Sequence, residues 1–309
     1  MKRLLISIGI GFFFLLTACG TAPIKHDPPH LKIGMGQIKK GIERYQKGCY
    51  GQALTYFYRA HERFAASDQV LGVAMSLNNL GNVYRHMGDF DKAIGFFDEA
   101  YALYDNLKDM PRARQVLSNK AAALIGSTRL AEAEKTLQHV ATLGKPDEKP
   151  FIPLWHNQSV LLIKQKKMTE AEALLQKALK HTSASRGAKY AAASYVLGTL
   201  LIAKNNSAEA ILHLNEALAI DRKAGFYKGI ADDLAALGDA YAKKSDHGIA
   251  TEYYKRSIKI YALIDNSYRL NSVAINLKKN AAKAKLDLSV TNHFIKAWSK
   301  GRALTDPCN

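Results

Sequence analysis

The sequence predicts an all-α solenoid of about six helix-turn-helix units closed by a C-terminal capping helix. Three observations carry this. Residues 77–100, LNNLGNVYRHMGDFDKAIGFFDEA, hold two apolar stripes at helical spacing: Leu77, Leu80, Gly81 and Tyr84, then Phe90, Ala93, Phe97 and Ala100. The same residue classes recur in register along the chain, at steps of 38 to 40 residues. The composition, 48% hydrophobic with 8 prolines in 309 residues, suits a helix-rich chain that buries a sizeable core. Two globular domains would fill the same length, but the internal period favours an array.

The elements follow in order. Residues 1–18 read as an export signal. Lys2 and Arg3 give a positive start, and Leu4 to Leu16 form an apolar run. As a helix that run spans roughly 20 Å, short of the ~30 Å bilayer core, so it is a signal segment rather than a transmembrane anchor. It ends in Leu16-Thr17-Ala18-Cys19. Residues 19–33 contain Pro23, Pro28 and Pro29 without apolar periodicity and read as a tether.

The solenoid is expected over residues 34–286. The central Ala of each second helix falls at Ala53, Ala93, Ala133, Ala171, Ala210 and Ala250. A small residue of each first helix falls at Gly41, Gly81, Ala121, Ser159, Gly198 and Gly238. A large residue of each second helix falls at Phe57, Phe97, Leu137, Leu175, Leu214 and Tyr254. The small residues let paired backbones approach while the large ones fill the space around the contact. Gly88 permits the chain to reverse between helices. Residues 144–153, with three prolines, predict a longer link and a bend between units three and four. Residues 269–286 read as a last amphipathic helix, and 287–309 as a basic capping helix and tail carrying Trp298. Trp155 and Trp298 read as packing residues.

Two resemblances follow from these residues. The Leu16–Cys19 run resembles the lipobox of bacterial lipoproteins. That likeness implies a covalent lipid on Cys19, a palmitate-bearing N-terminus and attachment to the cell envelope. Gly20 stands where Asp would signal inner-membrane retention, so the likeness favours the outer membrane facing the periplasm. Several acyl chains would hold the protein firmly. The repeat frame resembles the tetratricopeptide repeat (TPR), and its length near 40, with the Leu-Asn-Asn-Leu-Gly run, resembles the long repeats of kinesin light chain. The usual period is about 34 residues.

The TPR resemblance implies a right-handed superhelix whose first helices line a concave protein-binding face. In the long-repeat subclass an Asn ladder there holds an extended peptide by its backbone. The matching positions here are Asn79, Asn119 and Asn157, with Asn276 later, and Val196 and Ala236 break the ladder. Asn82 and Arg85 lie along the same helix and would add contacts, Arg85 to a carboxylate.

Charge supplies a second expectation. The chain has a formal net charge of +17; without Lys2 and Arg3, 42 basic and 27 acidic residues leave +15. Residues 222–309 hold 16 basic and 8 acidic side chains. Lys278, Lys279, Lys283, Lys285, Lys296, Lys300 and Arg302 cluster there and are expected to meet an anionic partner, or else to form a solvated surface. Aromatic platforms interleaved with these cations are absent, so no nucleic acid is expected.

No HExxH, GxSxG, Walker A or paired CxxC pattern occurs, so no enzyme, no metal, no cofactor beyond the lipid and no small-molecule substrate are expected. His26 and His30 lie in the tether, and Ser245-Asp246-His247 falls in an inter-helix turn. Cys49 and Cys308 are expected to stay unpaired with each other, because six stacked repeats would separate them by tens of Å; only strong superhelical closure or a returning tail would join them. The functional expectation is a membrane-anchored adaptor that binds an envelope protein or peptide and supports assembly of a complex. The alternatives are binding of an anionic envelope component through the basic segment, and non-enzymatic regulation of a cell-wall enzyme.

Overall fold

The computed structural model describes residues 29–144, 148–303 and 308. The expected export signal, Cys19 and the expected tether up to residue 28 lie outside them. Fourteen α-helices make up the described residues, in six antiparallel pairs and a final pair. The pairs are α1 (Pro29–Lys47) with α2 (Tyr50–Ala66), α3 (Val70–Met87) with α4 (Phe90–Asn106), and α5 (Met110–Gly126) with α6 (Leu130–Thr142). Then come α7 (Ile152–Lys164) with α8 (Met168–Thr182), α9 (Ala188–Ala203) with α10 (Ser207–Ala224), and α11 (Tyr227–Lys243) with α12 (His247–Leu263). Helices α13 (Ser267–Ala284) and α14 (Ser289–Trp298) close the C-terminal end. Each helix through α13 packs against the next, and α14 folds back on α12. None of the described helices is long and apolar enough to cross a membrane.

The helical frame is realised residue by residue. All six central alanines are 0% exposed. A Cβ on Gly81 would sit 2.6 Å from the ring of Phe97, and one on Gly41 2.4 Å from that of Phe57. Gly198 faces Leu214 and Gly238 faces Tyr254 in the same way, each at 2.6 Å. The missing side chains are what allow these large residues to reach the partner backbone. Helix α9 carries apolar residues on nearly every face because α7, α8, α10 and α11 all contact it.

The turns share one device. Helices end in a left-handed residue: Gly48, Gly88 and Gly225, but also Asp68, Lys108, Thr128, Lys166, Asn205, Ser245 and Asp265. At Gly88, with φ 87°, the amide N–H donates to the Arg85 carbonyl and satisfies an end of α3. Asp89 then caps α4 by accepting from the Lys92 N–H. Asp109 and Asn206 cap α5 and α10 by the same bond.

Two expectations change. Helix α1 starts at Pro29, five residues ahead of the 33/34 boundary between tether and solenoid. Proline is well placed at a first helical position, where its fixed φ suits the helix and its missing N–H costs nothing. The second change is larger. Cys49 and Cys308 are joined by a disulfide, with Cα atoms 5.3 Å apart. The expectation that they stay apart is corrected because the superhelix turns far enough for its ends to meet. Helix α1 contacts α11. A Cβ on Gly48, in the α1–α2 turn, would lie 3.0 Å from Ile264 after α12. Phe90 meets Tyr268 edge-to-face at 6.5 Å. The tail then returns across this seam, where the Arg44 Nη1 donates to the Cys308 carbonyl at 2.7 Å.

Candidate functional site

Curvature of the superhelix forms a half-open cavity of about 550 Å³ on its inner side. Its walls come from repeats distant in sequence. Helix α3 delivers Arg85 and His86, α7 delivers His156, and α9 delivers Tyr195. The end of α10 and start of α11 deliver Asp221, Lys228, Asp232 and Asp233. Val160, Ile163 and Val196 supply apolar wall between them.

One wall is basic. Arg85 donates from Nη2 to the His86 ring at 2.8 Å, and its Nε is buried with no partner. His156 Nδ1 is likewise buried without a partner. Burial, reinforced by the Arg85 charge, lowers the His156 pKa to about 4, and the same causes hold His86 well below the ordinary value. Both rings are therefore neutral near pH 7, and Arg85 carries the charge of this wall.

The opposite wall is acidic and divided. Asp232 bonds Lys228, the Tyr261 hydroxyl and Arg269, the last through Nε at 3.1 Å. Lys228 and Arg269 draw its carboxyl below the usual range against the opposing effect of burial. Asp233 is 1% exposed, and its Oδ2 has no partner. Burial, then the Asp221 and Asp232 charges, push its carboxyl up to about 9. Asp221 is pushed up to about 6, first by burial and then by Asp232. A Cβ on Gly229 would lie 1.7 Å from Asp221 Oδ2, so only glycine leaves room for that carboxyl against the first turn of α11.

The residues expected to bind peptide are placed differently from one another. Asn79, Asn119 and Asn157 do lie on the inner helices α3, α5 and α7 of successive repeats. Their amides, however, bond within the protein. Asn79 Nδ2 donates to the Met75 carbonyl at 2.8 Å. Asn119 Nδ2 donates across to Asn78 Oδ1 at 2.9 Å and its Oδ1 accepts from Gln115. Asn157, 7% exposed, donates to the Ser118 carbonyl at 2.7 Å and to its hydroxyl at 2.9 Å. These bonds tie α3 to α5 and α5 to α7. Asn82 Nδ2 donates to the Asn78 carbonyl, and Asn276 to Asp239. Of this set Arg85 alone lines the cavity.

Lys278, Lys279 and Lys283 lie on α13, Lys285 just after it, Lys296 on α14, and Lys300 and Arg302 beyond. All seven are exposed, and among the described residues none joins a salt bridge. Trp155 packs under the Lys177 ammonium, 4.4 Å from the ring, and Trp298 packs with Phe294 at 5.2 Å. Ser245-Asp246-His247 lies at the α11–α12 turn, where His247 Nδ1 meets Asn280 Oδ1 at 2.8 Å.

The cavity carboxyls were not singled out by motif. A signal existed in the repeat frame. Asp233 stands five residues before the small Gly238, where the preceding repeats hold Ser76, Val116, Leu154 and Ala193, all buried. A carboxyl at a packing position is the departure that marks it.

Comparison with known proteins agrees with this fold. A family model for the tetratricopeptide repeat matches residues 40–106 and 152–223. The chain therefore carries tetratricopeptide repeats and folds as a TPR solenoid. Two solved structures share the fold. One is a Rap protein complexed with competence and sporulation factor, 12% identical, TM-score 0.60, covering 83% of this chain and 78% of that one. The other is the Rap conjugation gene regulator of plasmid pLS20 in complex with the Phr* peptide, 14% identical, TM-score 0.60, covering 94% and 83%. No curated protein matches the sequence.

Proposed function

We propose that this protein is a non-catalytic adaptor that holds a peptide segment of an envelope protein in its inner cavity, tethered to the membrane by a lipid on Cys19. The observation that carries the reading is the convergence of unpartnered buried polar groups, Arg85 Nε, His156 Nδ1 and Asp233 Oδ2, on one apolar-walled cavity inside the superhelix. Native structures leave few such groups without partners, and a cavity of this size with a few convergent polar groups suits a ligand of a few residues. One structure of the same fold is described in complex with the Phr* peptide, and another complexed with competence and sporulation factor. The lipobox-like run supports an envelope location for the complex.

A photoreactive amino acid at Tyr195, in the cavity, should give a discrete crosslinked adduct in living cells, and excess wild-type protein should compete it away. The same probe at Leu212, exposed on the outer face of α10, should not. Equal adducts from both positions would overturn the reading. Cys19→Ser should release the protein from membranes and abolish metabolic labelling with palmitate. A second reading rests on the seven exposed, unpaired cations at the C-terminal end: contact with an anionic envelope component. It requires salt-sensitive binding to anionic vesicles that is lost when Lys278, Lys279 and Lys283 become Ala.

A further inference from the structure

We propose that Asp221 and Asp233 form the receptor for a primary ammonium group of the bound peptide, and that binding expels a proton from the carboxyl pair. This rests on the peptide-binding reading of the cavity and specifies which chemistry the peptide must present.

Packing does not explain Asp233. Its frame position is filled by Ser, Val, Leu or Ala in the four preceding repeats, so the helix pair closes without a carboxyl there. A buried carboxyl oxygen without a partner is costly and marks a place completed by something else. Nor do the nearby cations complete it. Lys228 and Arg269 are both drawn to Asp232, which also accepts from Tyr261. Arg222 lies on the exposed side of α10. The cations across the cavity, Arg85 of α3 and Lys164 of α7, belong to the opposite wall, where His86 and His156 are neutral. Two carboxyls thus share one wall, where Lys228, and Arg222 for Asp233, offset only part of the upward push from burial and the acidic neighbours, and no cation bonds the buried Asp233 Oδ2. Gly229 is part of the construction, since any side chain there would displace the Asp221 carboxyl.

The expected ligand atom follows. A group with several N–H donors and a positive charge satisfies both carboxyls at once, and charge-assisted bonds of this kind are the strong ones. Among the described residues no three His, Cys, Asp or Glu side chains are grouped to hold a metal ion, which favours an organic cation. The proton balance is simple. In the empty cavity at neutral pH the Asp233 carboxyl holds its proton, because burial and its acidic neighbours favour the neutral form. An entering ammonium makes the carboxylate the favoured form, and the proton passes to the buffer. No bond of the ligand breaks.

An ammonium could come from a peptide's amino terminus or from a lysine side chain. Three synthetic probes separate these: tetra-alanine with a free amino terminus, its N-acetylated form, and N-acetyl-Ala-Lys-Ala-Ala. Binding is followed by calorimetry at millimolar probe, in two buffers of different ionisation enthalpy, to count protons released. One or both cationic probes should bind about tenfold more tightly than the acetylated neutral one. They should release a proton near pH 7, where the amino terminus and the lysine side chain are already charged and Asp233 still holds its proton. Asp233→Asn, which is nearly isosteric and removes a buried repulsion, should stay folded by circular dichroism and erase the difference; Asp221→Asn should reduce it. The inference is overturned if the neutral probe binds as tightly, if no probe binds, or if Asp233→Asn leaves the preference intact. The Tyr195 crosslink separates the two levels. An adduct that persists unchanged in Asp233→Asn defeats the ammonium receptor and keeps the adaptor, whereas a wild-type cavity giving no adduct defeats the adaptor reading itself.

Discussion

Opening the Cys49–Cys308 bond should destabilise the whole solenoid, and the size of the effect follows from where the bond sits. It joins residues 259 apart, so it constrains nearly the entire unfolded chain. Loop-closure entropy for a loop of that length gives about 5.5 kcal/mol at 25 °C as a ceiling. Unfolding entropy near 2.1 cal/mol/K per residue, over the helical span Pro29–Trp298, converts this to a Tm shift of about 10 °C at most. The real shift should be smaller, because the seam is also held by the Arg44–Cys308 hydrogen bond and by packing of Gly48 on Ile264. The assay compares thermal melts of oxidised wild type, wild type in reductant, and Cys49→Ser with Cys308→Ser, with mass spectrometry confirming the bond in the first. A fall of roughly 5 °C in both reduced and double-mutant protein supports the reasoning. Indistinguishable melts, with the bond present in the oxidised sample, would refute it and show that non-covalent closure alone sets the stability. A repeat array can also open from one end, so reduction should first release hydrogen-exchange protection in α1, α2, α13 and α14.

Four further predictions test the packing and the cavity. Gly81→Val should cost about 1–3 kcal/mol in urea unfolding, because the new side chain meets the Phe97 ring; an unchanged midpoint would mean the helices can separate freely. Thr128→Gly should add about 1 kcal/mol, since a β-branched residue there is held at φ 64°, and a loss of stability would contradict the turn assignment. Asn157→Ala should cost about 1–3 kcal/mol by removing both amide bonds from α7 to Ser118 of α5, so a triple Asn-to-Ala variant that keeps its melting temperature would argue against the inter-repeat bonds. For Asp233, the folded pKa of about 9 lies above the ordinary 3.8, so the folded state retains a proton that the unfolded chain has lost. Stability should therefore fall as pH rises from about 4 to 9, by up to about 1.4 kcal/mol per unit. Asp233→Asn should flatten this slope and be the more stable protein at pH 8, by chemical denaturation at each pH.

Much of the helical scaffold is legible along the chain because neighbouring residues build it. The Gly81–Phe97 and Gly41–Phe57 contacts are local pairs within one repeat, so their spacing alone announces them. The same holds for Gly88 at its turn and for the break before α7. The Asn positions are correctly placed on inner helices, but their bonding is not readable from register. Asn119 reaches Asn78, and Asn157 reaches Ser118, only because the inner helices approach that closely. Arg85 is the predicted contact that meets the cavity. The acidic wall escapes notice in a linear reading because Asp221, Asp232 and Asp233 look like three charges among 27. Only the tertiary contacts separate Asp232, which meets Lys228, Tyr261 and Arg269, from Asp233, whose Oδ2 has no partner.

The sequence by itself determined the repeat, its period, its helix faces and the lipobox-like start, since all of these are short-range regularities of 3.6 and about 40 residues. Only the tertiary structure decided that the ends of the superhelix meet. A small change in rotation at each repeat accumulates over six of them, and no single repeat records the sum. That accumulated rotation brings Cys49 to Cys308, gathers Arg85 and Asp233 around one cavity, and deepens the concave face into a half-open site.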